Sequence, residues 1–155
     1  LVLNIREDKG YTYSPFASLG AFRDAGVLAT RADVRNAVTA ASLNEVMYEL
    51  NRMATTSPTK EELTTARRYL IGLEAIRLQR RASVATQLAS LWVNGLPPEE
   101  IGNHGQKIAK ITAEEVDTAA RKYFPASRSA IVMVGEKKVI DDAIEPFNLK
   151  LQPAP

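Results

Sequence analysis

The chain has 155 residues, 45% of them apolar and 25% charged, with a formal net charge of +2. That length suits a single domain, taken here as residues 1–150 with a tail at 151–155, able to bury about 70% of its unfolded surface. That charge is too small to argue for a nucleic-acid partner, and none is expected. The lack of cysteine excludes disulfides and thiolate ligands, and no apolar run reaches the ~18 residues of a membrane span.

In chain order, Leu1-Val2-Leu3-Asn4-Ile5 reads as the end of an element, helical in character, whose beginning lies outside the chain. Any targeting signal would lie there too, so the compartment stays open between bacterial periplasm and cytoplasm. Arg6 and Tyr13 then straddle a charged glycine turn, Glu7-Asp8-Lys9-Gly10, that leads into a strand. Residues 11–34 predict a hairpin. Tyr11, Tyr13, Phe16, Leu19 and Phe22 supply strand-like content, Asp24-Ala25-Gly26 a turn, and Leu28, Thr30, Ala32 and Val34 the alternation of a half-buried second strand. Pro15 and Gly20 weaken the first strand and point to a bulge or an edge.

From Asn36 the period becomes helical, with Leu43, Val46, Met47, Leu50 and Met53 on one stripe and Thr55-Thr56-Ser57-Pro58 as the stop. Thr59 and Glu62 form a capping box for the next helix, whose expected buried face is Leu63, Ala66, Leu70 and Leu73. Carrying that face forward at about 100° per residue brings Arg77 and Arg81 close to it, so a break between Arg80 and Ser83 is expected. Val84, Leu88, Leu91 and Trp92 form the following stripe, with Trp92 assigned to the core, and Asn94-Gly95 supplies a left-handed cap. Pro97-Pro98-Glu99-Glu100 starts a short helix to about Ala109. Thr112 and Glu115 make a second capping box, with Ile111 and Val116 as its hydrophobic staple, for a helix ending at Pro125. Ser129 to Gly135 reads as a fully buried strand, Lys138 to Ile144 as a final helical turn or two, and Gln152 to Pro155 as a loose tail. The fold class is therefore α+β, a mainly antiparallel sheet with several helices packed on one face.

The chemistry-bearing residues are few. His104 is the sole histidine and sits in a polar stretch, which makes it a solvated loop or helix-end residue. Arg67, Arg68, Arg77, Arg80 and Arg81 read as a solvated basic face among Glu61, Glu62 and Glu74. Glu99-Glu100 and Glu114-Glu115 occupy first helical turns, where the helix dipole favours carboxylates.

Three passages carry a resemblance: Ile5 to Ser14, Pro58 to Pro97 with its capped helix, and Ile111 to Gly135. In order and spacing they resemble the C-terminal, non-zinc-binding domain of the pitrilysin/insulinase family of zinc metallopeptidases, N-terminally incomplete. That family includes mitochondrial processing peptidase and the core subunits of the respiratory ubiquinol–cytochrome c reductase. The resemblance implies a processing-peptidase-like domain that faces a zinc-binding N-terminal domain or partner subunit across a chamber. It implies that Arg6 holds a carbonyl of the peptide substrate and that the Tyr13 hydroxyl donates to the developing oxyanion, with Tyr11 the fallback donor. Zinc is implied in the partner, not here: the inverted His-x-x-Glu-His motif is absent from the sequence, so the chain alone should not hydrolyse peptides. The alternative is a catalytically inactive structural or binding subunit of the same fold.

Overall fold

A computed structural model describes residues 1–124 and 129–149. A wide π-helical turn, Val2–Asp8, comes first, followed by strands β1 (Phe16–Ala21) and β2 (Gly26–Arg31). A 3-10 turn at Asn36–Val38 leads into α1 (Thr39–Thr55), α2 (Lys60–Leu78), α3 (Arg81–Val93), α4 (Glu100–Lys110) and α5 (Ala113–Tyr123). Helix α6 (Lys137–Ile144) and a 3-10 turn, Glu145–Phe147, complete the described chain. Pro125 as a helix stop and the tail at 151–155 lie outside the described residues.

The chain divides into two compact units. One comprises Leu1–Leu19, Leu28–Ala54 and the described residues from Phe124 on; the other comprises Gly20–Val27 and Thr55–Tyr123. In the first, Ile5 is fully buried, and Thr12, Pro15, Ser42, Ala143 and Ile144 are also buried. In the second, α2 packs against α3 and α4, α3 packs against α4, and Ala120 is buried.

Local sequence accounts well for the helices. At the start of α2 the Glu62 amide donates to Thr59 Oγ1 at 3.1 Å, and the Thr59 amide donates to Glu62 Oε2 at 2.9 Å. Thr112 and Glu115 repeat the box at α5, at 3.2 and 2.8 Å. The expected break follows Leu78: Arg80 is extended, α3 restarts at Arg81, and Arg77, Arg80 and Arg81 are all exposed. A Schellman motif ends α3, with the Leu96 amide on the Leu91 carbonyl at 2.9 Å and the Gly95 amide on Trp92 at 3.0 Å. Gly95 has φ +69°, a conformation costly to any residue with a Cβ.

The α+β class holds, while four finer expectations are not met. Among the described residues the sheet is the two-stranded antiparallel hairpin β1–β2, and its strands are exposed apart from the half-buried Gly20 and Thr30. The turn is where the sequence put it, closed by the Phe22 amide on the Ala25 carbonyl at 2.8 Å. Secondly, Ser129 to Val134 forms no strand, and Val134 is 97% exposed. A strand is stabilised by the ladder beside it, and none of the described residues supplies one to this segment. Thirdly, the inner face of α2 is Leu63, Arg67, Ile71, Leu73, Glu74 and Leu78, with Ala66 and Leu70 exposed. The helix is rotated because Arg67 reaches inward and donates to the Ile111 carbonyl just beyond α4. Finally, Trp92 lies on the outer side of α3, 82% exposed, while Val84, Gln87 and Leu91 turn inward.

Replacing Thr59 or Thr112 with alanine should each lower unfolding free energy by about 1 kcal/mol, read from urea denaturation. The two losses should add, since the boxes share no residue. Gly95→Ala should cost a further ~1 kcal/mol, because the cap requires the left-handed conformation.

Candidate functional site

The Arg6–Tyr13 segment is built by the π-helical turn and the chain just after it. Its backbone is closed by the Lys9 amide on the Asn4 carbonyl at 3.1 Å, Gly10 on Arg6 at 3.0 Å and Tyr11 on Ile5 at 2.9 Å. Gly10, at φ +59°, makes the turn out of this coil at little conformational cost. Residues 11–15 are not strand, so Tyr11 and Tyr13, though two positions apart, do not share the face of a regular strand. The reason is local. Thr12 is buried and its Oγ1 donates to the Asp33 carbonyl at 2.7 Å, taking an acceptor that a backbone ladder would use. Pro15 has no N–H to offer such a ladder.

Anchoring Thr12 leaves its neighbours outside. Tyr11 is half-buried and Tyr13 is 80% exposed. Arg6 lies over the Tyr13 ring, its guanidinium carbon 4.9 Å from the centroid, and its Nε is 3.2 Å from Glu7 Oε1. The two residues singled out from sequence are thus brought side by side, a guanidinium and a phenol presented together to solvent. Tyr11 takes no part in that pair.

Helix α1 supports the segment from below. Asn4 Nδ2 donates to Glu45 Oε2 and to Glu49 Oε1, both at 2.9 Å, and Lys9 Nζ pairs with Glu45 Oε1. Because both acceptors are carboxylates, the amide must present its nitrogen to them. The Lys9 bond and then the Asn4 bond hold the Glu45 carboxyl below its ordinary range, against partial burial. Burial works to raise Glu49, but bonds from Asn4 and Arg52 outweigh it and leave that carboxyl lowered as well. The bond to Glu45 raises the Lys9 ammonium. Sequence reading missed this clamp. Glu45 and Glu49, one helical turn apart on the polar side of α1, were its available signal.

Among the described residues no three His, Asp or Glu side chains gather as metal ligands, so the residues here do not fit a zinc site. His104 is exposed on α4, solvated as expected though within a helix. Shallow depressions on α2 (Lys60, Glu61, Thr64, Thr65, Arg68) and on α5 (Glu114, Glu115, Thr118, Lys122, Tyr123) include none of Arg6, Tyr11 and Tyr13. No described helix is long and apolar enough to cross a membrane.

The model of the peptidase M16 inactive domain matches residues 1–70, from the π-helical turn through the hairpin and α1 into α2. The match covers less than half of the chain and supports a pitrilysin-like C-terminal domain over these residues. The pitrilysin-like C-terminal resemblance is borne out over this span, which contains the whole Arg6–Tyr13 segment and its clamp. The passages from Ile71 onward lie beyond the match to the M16 inactive domain. No curated protein matches the chain.

The clamp carries a definite pH dependence. Its folded-state carboxylate is lowered and its ammonium raised, so its contribution is full between the ordinary values of 4.5 for Glu45 and 10.5 for Lys9. It falls away as pH drops through the depressed Glu45 value or rises through the raised Lys9 value. Carbon-detected NMR titration should find Glu45 titrating below 4.5 in the parent and closer to 4.5 in Asn4→Ala. Asn4→Ala should also lower stability by ~2 kcal/mol at neutral pH, since it removes two bonds to charged acceptors.

Proposed function

We propose that this chain is the accessory half of a zinc metalloendopeptidase, contributing peptide binding and transition-state stabilisation to a zinc site held by another domain or subunit. One observation carries the reading: Arg6 and Tyr13 stand together on an anchored turn with the guanidinium 4.9 Å from the phenol ring. The family match over the same segment supports it. Arg6 offers a fixed fork of donors suited to a peptide carbonyl. Tyr13 offers a hydroxyl donor that lowers the barrier if it meets the carbonyl oxygen as charge develops there. Neither residue generates a nucleophile, so both act on chemistry performed elsewhere.

The two roles separate kinetically. In the assembled peptidase Tyr13→Phe should lower kcat by about 10²-fold with KM little changed, the signature of a contact made in the transition state. Arg6→Ala should act mainly on KM, by about tenfold. Parental kinetics in both variants would favour the second reading, a catalytically inactive binding subunit of the same fold.

A further inference from the structure

Helix α3 carries a surface that the peptidase reading does not use. Arg81, Ala85, Leu88 and Trp92 fall at i, i+4, i+7 and i+11, one line along the helix, and all four are exposed. After Arg81 no charged residue follows until Glu99. Meanwhile Ser83 and Gln87 are half-buried. A surface helix ordinarily shows the opposite arrangement, with its polar side to water. Arg81 forms no ion pair among the described residues.

We propose that this line is a two-fold interface on which α3 of a second copy packs antiparallel. The order of the four side chains is self-complementary in that direction alone. A two-fold axis between Thr86 and Gln87 sets Arg81 against the partner's Trp92 and Ala85 against the partner's Leu88, and each contact then occurs twice. The cation meets the face of an indole, and a small side chain meets a large one. Ala82 and Ala89 flank the line and let the two backbones approach. Parallel packing would instead place Arg81 on Arg81 and leave both indoles without a cation. An acidic partner could answer Arg81 but would find no further charge along α3. A contact of one helix pair lies below the ~1,200 Å² of standard interfaces, in the size class of weak, transient associations.

Trp92 is the only tryptophan, so its emission reads this surface alone. On raising the concentration of the 155-residue chain from about 1 to 500 µM, a range that spans micromolar association, the emission should shift to the blue. Sedimentation equilibrium should show the mass rising from 17.0 kDa toward twice that value. Arg81→Ala and Trp92→Ala should each weaken association by about tenfold or more, with unchanged circular dichroism because both side chains are exposed. Ala85→Leu should block pairing by overfilling the contact, and adding Leu88→Ala should restore it with the sizes exchanged. Monomer mass with water-exposed emission throughout would overturn the proposal. A blue, concentration-independent emission would also overturn it, since Trp92 would then be covered within its own chain. So would dimerisation indifferent to Trp92→Ala and Ala85→Leu, which would place the contact elsewhere.

Discussion

The arrangement of the N-terminal segment depends on one side chain, Asn4, donating at once to two carboxylates a helical turn apart on α1. An amide can bridge Glu45 and Glu49 only if the coil that carries it is held at a fixed height along the helix. Lys9, at the far end of the same coil, fixes the second point through Glu45. Between these points Ile5 is fully buried. Apolar burial supplies the attraction and is indifferent to direction, whereas the bonds to Glu45 and Glu49 select the rotation. The rotation matters because Arg6 lies between the two anchors, and its place over Tyr13 follows from it.

The same unit shows how a strand-like sequence can be diverted. Residues 11–15 contain two tyrosines and a buried threonine, and in an extended ladder their side chains would alternate across a sheet. Thr12 instead spends its hydroxyl on the Asp33 carbonyl, and Pro15 lacks an amide to donate. The chain is thereby pinned without being paired. A pinned, unpaired segment presents side chains at angles that no pleated strand allows, and Tyr13 reaches solvent beside Arg6 for this reason. Function in the proposed sense needs that exposure, since a donor buried in a sheet could not meet a peptide.

Much of the fold was legible because its signals are local. Capping boxes at Thr59 and Thr112, the left-handed glycine after α3 and the break before Arg81 all depend on residues within a few positions of each other. The hairpin turn near Asp24 belongs to the same class. What failed were readings that required knowing the neighbour. Ile131 to Val134 is an apolar run with strand propensity, but propensity becomes a strand only where a ladder receives it. Trp92 belonged to an apolar stripe on α3, and a stripe does not say which of two apolar sides faces the bundle. Arg67 falls in the basic run read as the solvated face of α2 and instead turns inward to a carbonyl beyond α4.

For the candidate site the division is the same. The sequence by itself determined that Arg6 and Tyr13 are available, that a glycine turn separates them, and that the chain has no second histidine with which to ligate zinc. Those are matters of residue identity and short-range conformation. Only the tertiary structure decided that the guanidinium sits on the phenol ring, that Tyr11 is excluded from the pair, and that α1 holds the segment through Glu45 and Glu49. Each of these depends on residues up to 45 positions apart meeting in space. Such meetings depend on the packing of whole elements, which short-range preferences do not specify.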